Sequence, residues 1–221
     1  MLFRSKTIEP LVAELKKEFS HWKKGPRFSI ITNGSLLSEK IIDWCVENLG
    51  GMAVSHDGPG QHIRGPDPLM DENQRKMILE LYRRMNGRMS FNAMVNSGNT
   101  SRKKISEWFR ELTGDDIVHI GEGGFVDAYD EGGLENSLKG EEEHIAYRRL
   151  TLHQTRTKQN ISFNIVNDRM KEWVFSISAN RPAESLGQKC GMDSIDTIAV
   201  DLRGNVLTCQ NVSAEIGRAH V

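Results

Sequence analysis

Apolar residues recur three and four positions apart in four stretches of the chain, as expected for helices with one buried face. These stretches cover residues 8–22, 41–49, 77–85 and 105–112. Short apolar runs bounded by glycine, proline or asparagine predict strands between and after them. The predicted strands cover residues 28–32, 52–55, 89–95 and 116–120. Ser38 and Ser101 precede two of the stripes and are expected to cap those helices.

Helices and strands therefore alternate through residues 1–120. This order predicts an α/β fold with a parallel sheet and right-handed crossovers. In such sheets the chemistry lies on the loops after the carboxyl ends of the strands. Four loops would share that edge and form one candidate site, at residues 33–34, 55–64, 96–99 and 121–133.

The pattern changes after residue 140. The charged stretch EEEHIAYRRL is typical of a solvated helix, whereas residues 161–167 and 173–178 suggest extended segments. Residues 195–207 alternate around a turn at residues 203–205 and predict a β-hairpin.

Composition narrows the function classes. The chain has 221 residues, 38% of them hydrophobic, which suffices for one sizeable core and the beginning of a second unit. A net charge of −1 gives no electrostatic reason to expect nucleic acid or an acidic membrane as a partner. No apolar run approaches the roughly 18 residues of a spanning helix. Three cysteines do not indicate a disulfide framework, so a reducing cytoplasm is the expected compartment.

Two motifs carry a resemblance to a known family. ITNGSLL (31–37) ends the first predicted strand, and VSHDGP (54–59) ends the second. Together they resemble radical S-adenosylmethionine (radical SAM) enzymes, whose third and fourth barrel strands end in a TNG-type turn and a Ser-x-Asp-Gly-Pro turn. More narrowly, the chain is similar to the peptide- and protein-modifying maturases with a C-terminal SPASM domain, which are related to anaerobic sulfatase-maturating enzymes.

A cysteine pattern late in the chain supports the same resemblance. Thirteen residues separate Cys190 from Gly204, and four separate Gly204 from Cys209. This resembles the opening of the SPASM pattern, which implies that Cys190 and Cys209 bind an auxiliary [4Fe–4S] cluster. A zinc half-site or plain hairpin cysteines are the alternatives. Gln210 stands where the sulfatase-maturing branch has an Asp proposed as a base, which argues against sulfatases as substrates because an amide cannot take that proton.

The resemblance implies a fold and a division of the chain. Residues 1–158 would form a partial (β/α)6 TIM-like barrel without its first two strands. Residues 159–185 would link it to residues 186–214, the beginning of the SPASM domain with its β-hairpin. The Cys-x-x-x-Cys-x-x-Cys motif and the Gly-Gly-Glu-Pro loop of relatives do not occur. We therefore expect a fragment truncated at both ends, with residues 215–221 (EIGRAHV) encoded by a sequencing adapter; a genuine C-terminal tail is the alternative for these residues.

The resemblance also implies a site for S-adenosyl-L-methionine. Thr32 and Asn33 would line the cofactor pocket, with a simple helix-entry turn as the alternative. Ser55 would contact the cofactor, and Asp57 would brace the Gly-Pro turn of the same site through an Asx-type bond. Arg64 would bind the carboxylate of the cofactor, although a surface arginine fits the pattern nearly as well. A purely structural turn is the alternative for the whole motif.

Other polar residues have less specific patterns. His56 and His62 could serve substrate binding or proton transfer, but ordinary polar lining residues are more typical, and their spacing matches no familiar zinc site. The acidic loop at residues 121–133 could bind a basic substrate segment or be a solvated loop. Cys45 lies on an apolar stripe and is expected in the core rather than as a reactive thiol.

These expectations define a function for the intact parent protein. It would cleave S-adenosyl-L-methionine reductively at a [4Fe–4S] cluster, form a 5′-deoxyadenosyl radical and modify a side chain of a peptide or protein substrate. Flavodoxin or ferredoxin would donate the electron. The fragment itself would be inactive, because the ligands of the cleaving cluster are absent from it. The alternative is a degenerate barrel that binds a peptide or metabolite without radical chemistry.

Overall fold

The structure is a computed structural model in which contacts divide the chain into two compact units, residues 1–167 and residues 168–221. It describes residues 5–122, 138–159, 178–180, 199–200 and 206–207. The predicted cofactor-site residues, from Thr32 to Arg64, all lie in the first unit.

A four-stranded parallel sheet forms the centre of the first unit. Its strands are β1 (Ser29–Thr32), β2 (Gly51–Ser55), β3 (Met89–Asn92) and β4 (Ile120–Glu122). They lie side by side in the order β1-β2-β3-β4, and each is parallel to its neighbours. The predicted α/β class is confirmed, since parallel neighbours require the crossover connections that the helices supply.

Helices make the connections between the strands. The α-helices are α1 (Ser5–Glu18), α2 (Glu39–Asn48), α3 (Gln61–Arg64), α4 (Glu72–Met85), α5 (Arg102–Thr113) and α6 (Gly140–Arg156). Ser38 accepts a hydrogen bond from Ile41 N, and Ser101 accepts one from Lys104 N, so both predicted caps are confirmed. Within the described part of the chain, no helix combines the length and the apolar character needed to cross a bilayer.

The core lies where the apolar faces of α2, α4 and α5 meet the sheet. Phe91 of β3 stacks on Phe109 of α5 with ring centroids 4.2 Å apart, and both side chains are fully buried. Cys45 is fully buried on α2, which confirms its predicted place in the core. Burying a large apolar side chain contributes about 1.5–3 kcal/mol, so these stripes fix which face each helix turns to the sheet.

The first helix is shorter than its apolar stripe predicts. α1 ends at Glu18, and hydrogen-bonded turns carry the chain on to Gly25, which adopts φ +61°. Trp22 lies within these turns and is 51% exposed, so the stripe continues beyond the helix without being buried. The predicted helix over residues 8–22 is therefore wrong at its end, because apolar spacing does not distinguish the last helical turn from a following series of turns.

Two strand boundaries also differ from the prediction. β3 ends at Asn92 rather than at residue 95, because the Met94 N–H donates to the Asp57 carboxylate, 3.0 Å away, instead of to a strand. β4 begins at Ile120 rather than at residue 116, and the β3–β4 register shifts where the two strands meet. Ile117 is 61% exposed, so the apolar run begins outside the core.

In the second unit, β5 (Ala199–Val200) and β6 (Val206–Leu207) pair in antiparallel fashion, with Ala199 opposite Leu207. This confirms the strand pairing predicted for the hairpin over residues 195–207. Several other predictions lie outside the described residues: Cys190 and Cys209, the turn at residues 203–205, the segments at 161–167 and 173–177, the acidic loop from residue 123 onward, and residues 215–221.

Candidate functional site

A cleft of about 590 Å³ lies at the carboxyl ends of β1 and β2. The turn after each strand borders the cleft, together with the loop that follows α3. Polar side chains of its wall include those of Thr32, Asn33, Ser55, Gln61, Arg64 and Asp67. Four of these residues, Thr32, Asn33, Ser55 and Arg64, are the ones that the sequence predicts for the cofactor site, and the structure brings them together.

The turn after β1 is held by its own side chains. Thr32 is buried, and its Oγ1 accepts the Gly34 N–H at 3.2 Å. Asn33 Oδ1 accepts from Ser35, both from the backbone N–H at 3.2 Å and from Oγ at 3.0 Å. Gly34 adopts φ +75°, a conformation that favours glycine, and a Cβ there would lie 2.9 Å from the terminal Cδ1 of Ile78 on α4. The turn therefore presents Thr32 and Asn33 at the cleft in a fixed conformation.

Asp57 lies behind the wall of the cleft and not in it. It is 2% exposed, and its Oδ1 accepts hydrogen bonds from Arg64 Nη1 and Met94 N, each at 3.0 Å. The prediction of an Asx-type bond from Asp57 to the Gly-Pro turn is wrong, since Asp57 makes no side-chain capping bond there. Its carboxylate accepts instead from Met94, in the segment that follows β3, and from Arg64. Arg64 is 44% exposed, and the buried Asp57 carboxylate orients its guanidinium where it borders the cleft.

His56 is fully buried, which corrects the expectation of a polar lining residue. Its Nε2 lies 2.8 Å from Asp67 Oδ1, and its Nδ1 accepts the Gly58 N–H at 3.0 Å. The ring stacks on Trp108 of α5 with centroids 5.0 Å apart. Burial lowers the pKa of His56, and the neighbouring carboxylates of Asp67 and Asp57 oppose this in part. Neutral imidazole with its proton on Nε2 satisfies both contacts.

His62 does not join His56 in a common site. It is exposed on α3, and its Nδ1 lies 3.1 Å from Pro59 O. Among residues 5–122, 138–159 and the shorter described segments, no three His, Cys, Asp or Glu side chains are grouped closely enough to hold a metal ion.

The loop after β3 belongs partly to another cavity. Asn96 Nδ2 donates to Gly60 O at 3.2 Å, which joins this loop to the turn after β2. Ser97 and Thr100 line a separate cavity of about 480 Å³ together with α6. Residues 96–99 do not line the cleft at β1 and β2, so the prediction that all four loops form one site is not confirmed for them.

Two residues of the cleft were missed in the sequence. Asp67 Oδ1 accepts the Leu69 N–H at 2.8 Å as well as the bond from His56. An Asp before a proline is a recognised turn signal, so its structural role could have been anticipated. Gln61 Oε1 accepts the Asp57 N–H at 2.9 Å. A glutamine in a loop carries no specific sequence signal.

The cleft is therefore suited to binding a polar, oxygen-bearing molecule. The Arg64 guanidinium, the Asn33 and Gln61 amides and the Ser55 hydroxyl supply donors, and Asp67 supplies a carboxylate. Cys45 does not contribute a nucleophile, because burial, with Glu9 nearby, raises the pKa of its thiol to about 11.

Comparison with known protein families found no family that matches this chain, and comparison with curated proteins found no match either.

Proposed function

We propose that this chain is part of a radical SAM enzyme with a SPASM extension, and that the cleft beside β1 and β2 binds S-adenosyl-L-methionine. The observation that carries the proposal is the meeting of two motifs at one cleft. Thr32 and Asn33 come from the TNG-type turn, Ser55 and Arg64 come from the segment that opens with the Ser-x-Asp-Gly-Pro turn, and all four line the same cleft. The carboxyl edge of a parallel sheet is also the ordinary ligand position in α/β folds.

The sheet supports the finer proposal of a partial (β/α)6 barrel. Its strands follow sequence order and are parallel throughout, as neighbouring strands of such a barrel would be. β1 is an edge of the sheet in the described part of the chain, and its Ile31 is 55% exposed. In the complete barrel one of the two preceding strands would pair with β1 along this edge, and the other would pair with that strand in turn.

The cleft fits the polar parts of S-adenosyl-L-methionine. Arg64 gives Nη1 to Asp57 and retains further N–H groups, and a guanidinium fork matches a carboxylate. The Ser55 hydroxyl has no hydrogen-bond partner within the part of the chain that the structure describes, so it can serve a hydroxyl or amine of the ligand. Asp57 would hold Arg64 in position for this contact.

The cleaving iron–sulfur cluster does not fit the residues of this chain. Such a cluster requires several thiolates, and the sequence has Cys45, Cys190 and Cys209 without the three-cysteine spacing. Cys45 is a core residue with a raised thiol pKa. We therefore assign no step of radical formation to these residues. A longer parent protein would supply the cluster ligands, and the present chain would be inactive by itself.

The remaining parts of the proposal follow from the resemblance alone. Cys190 and Cys209 would bind an auxiliary cluster, and the substrate would be a side chain of a peptide or protein. Flavodoxin or ferredoxin would supply electrons in the cytoplasm.

A binding barrel without radical chemistry is the second candidate. The cysteine set favours it, because Cys45 is buried and the Cys-x-x-x-Cys-x-x-Cys motif does not occur in the sequence. The same cleft would then hold a peptide or a small metabolite through its donors.

Equilibrium dialysis of the chain against radiolabelled S-adenosyl-L-methionine tests the cofactor assignment. We expect saturable binding that Arg64→Gln weakens about tenfold or more, because a charge-assisted hydrogen bond is lost. Arg83→Gln, which changes an exposed arginine on α4, is the matched control. An absence of saturable binding, or an equal loss in both variants, would contradict the assignment.

Sequencing of the native gene on both sides of this frame separates the two candidates. An in-frame Cys-x-x-x-Cys-x-x-Cys segment upstream would support radical chemistry. A complete upstream frame without it would favour the binding barrel.

A further inference from the structure

Gln61 is almost wholly buried and yet reaches the wall of the cleft. It is 6% exposed, opens α3 and lines the cleft beside Arg64. Its Oε1 accepts the Asp57 N–H at 2.9 Å. Because a backbone N–H can only donate, this contact identifies the oxygen end of the amide and leaves the NH2 group as the end that is free to face the cleft.

The NH2 group of Gln61 has no hydrogen-bond partner among the residues that the structure describes. In that part of the chain, two side-chain atoms are inaccessible to solvent and also lack a hydrogen-bond partner: Asn99 Nδ2 and Gln154 Oε1. The Gln61 nitrogen, by contrast, remains accessible to solvent. It is therefore reached from the cleft. Polar groups in buried side chains are nearly always satisfied, so water or a ligand must meet this donor.

The neighbouring groups show what kind of ligand would meet it. Arg64 adds a positive charge and further N–H donors on the same wall. The Asn33 Oδ1 is occupied by Ser35, so the part of that amide left for a ligand is also its NH2 group. Asp67 also borders the cleft, and its Oδ1 is shared between His56 Nε2 and Leu69 N. Its carboxylate is balanced by hydrogen-bond donors at Gln61, Arg64 and Asn33, and a ligand oxygen with negative charge would meet these donors.

We propose that Gln61 is a ligand-binding residue of the cleft, and that its NH2 group donates to a carboxylate oxygen of the bound molecule beside Arg64. The choice of S-adenosyl-L-methionine as that molecule rests on the proposed function. The assignment of Gln61 does not, because any carboxylate seated beside Arg64 would meet the same donor.

Substitution of Gln61 by Glu isolates the donor. The variant retains an oxygen for the Asp57 N–H and replaces the NH2 group with a second oxygen, which repels a carboxylate. We expect Gln61→Glu to weaken binding of S-adenosyl-L-methionine about tenfold or more, as the loss of a hydrogen bond to a charged group does. Gln159→Glu, which makes the same charge change in the turn that follows α6, is the matched control and should leave binding unchanged.

A second measurement uses the wild-type chain, so its result does not depend on whether the Gln61→Glu variant folds correctly. The side-chain 15N–1H2 signals of Gln61 are followed by NMR while S-adenosyl-L-methionine, L-methionine or L-methioninamide is added. We expect S-adenosyl-L-methionine and L-methionine, which both carry the carboxylate, to shift these signals. L-methioninamide lacks the carboxylate and should leave them in place.

The outcomes separate the two proposals. A Gln61 response to L-methionine without any binding of S-adenosyl-L-methionine would support the residue assignment and contradict the proposed cofactor. Binding of S-adenosyl-L-methionine with unmoved Gln61 signals and an unaffected Gln61→Glu variant would overturn the residue assignment and leave the cofactor. The residue assignment would also be overturned if none of the three compounds shifted the Gln61 signals, or if L-methioninamide shifted them as much as L-methionine does.

Discussion

His56 Nε2 donates to Asp67 Oδ1 across 2.8 Å, so a fully buried imidazole anchors a carboxylate that lines the cleft. The second ring nitrogen accepts the Gly58 N–H at 3.0 Å, and Trp108 stacks on the ring face. Both ring nitrogens are therefore committed to the segment that follows β2. Protonation of His56 would place a proton on Nδ1, which would then face the Gly58 N–H, another donor. The geometry of this segment therefore depends on a neutral ring.

We expect stability to decrease as the pH falls below about 6.5, the usual pKa of histidine in an unfolded chain. Burial lowers the pKa of His56 in the folded state, with Arg64 acting in the same direction and Asp67 and Asp57 opposing it. The unfolded chain therefore binds the proton first, and the free energy of unfolding falls with decreasing pH through this range. A single group contributes at most about 1.4 kcal/mol per pH unit, and at higher pH His56 adds no slope.

Urea unfolding at a series of pH values measures this contribution. His56→Gln should be less stable at neutral pH and should show a shallower loss of stability on acidification. His62→Gln removes an exposed imidazole from the same region and is the control. Carboxylates that titrate in all three proteins cancel in the comparison. Equal slopes for the wild type and His56→Gln would contradict the prediction.

Asp57→Ala is expected to destabilise the fold by about 1–3 kcal/mol, because it removes the acceptor of the Met94 N–H, a partly buried group. Asp57→Asn should cost less, since an amide oxygen can still accept that bond while the pairing with Arg64 is lost. Asp43→Asn is the matched control: Asp43 pairs with Arg84 on the surface, where such pairs contribute about 0–1 kcal/mol. The free energy of unfolding in urea measures all three. A cost for Asp57→Ala no greater than that of the control would show that the Met94 contact adds nothing.

The order of the elements could be predicted because each helix of the sheet region carries its own apolar stripe and each strand its own short run. The strand ends could not be predicted in the same way. The end of β3 is set by Asp57, a residue on a different loop, which takes the Met94 N–H that a longer strand would have used. Local sequence carries no information about such a contact.

The candidate site was predictable only as far as its turns. The motifs placed Thr32, Asn33 and Ser55 on one cleft because turns after neighbouring parallel strands share an edge. The burial of His56 could not be predicted, because it depends on Trp108, which the chain brings from α5. Gln61 was missed for a similar reason. The orientation of its amide, which leaves the NH2 group for the cleft, is set by the hydrogen bond that its oxygen accepts from the Asp57 N–H.

Gly60→Ala is expected to destabilise the protein by about 1–3 kcal/mol through overpacking. A Cβ at this position would lie 2.6 Å from Asn96 Oδ1. Asn96 cannot move aside cheaply, because its side chain bonds to Gly60 O, Gly98 N and Asn99 N. Gly50→Ala is the control: a Cβ there would meet its nearest atom at 3.6 Å, so the change should lie within about 0.5 kcal/mol. Thermal and urea unfolding report the difference, and equal stability of the two variants would show that Asn96 yields.

Arg88 is expected to contribute about 1–2 kcal/mol to stability by holding the end of α2. Its Nη1 donates to the carbonyl of the C-cap residue Leu49 at 2.6 Å, and its Nη2 donates at 3.2 Å to Val46 O, in the last turn of the helix, where carbonyls lack partners within it. Arg88→Lys should lose much of this contribution, because an ammonium cannot span both carbonyls as the planar fork does. Arg83→Lys on the exposed side of α4 is the matched control and should change the free energy of unfolding by less than about 0.5 kcal/mol. Hydrogen exchange at the amides of α2 adds a local measurement: protection should fall in Arg88→Lys and persist in Arg83→Lys, and unchanged protection in both would mean that the guanidinium contacts do not stabilise this helix end.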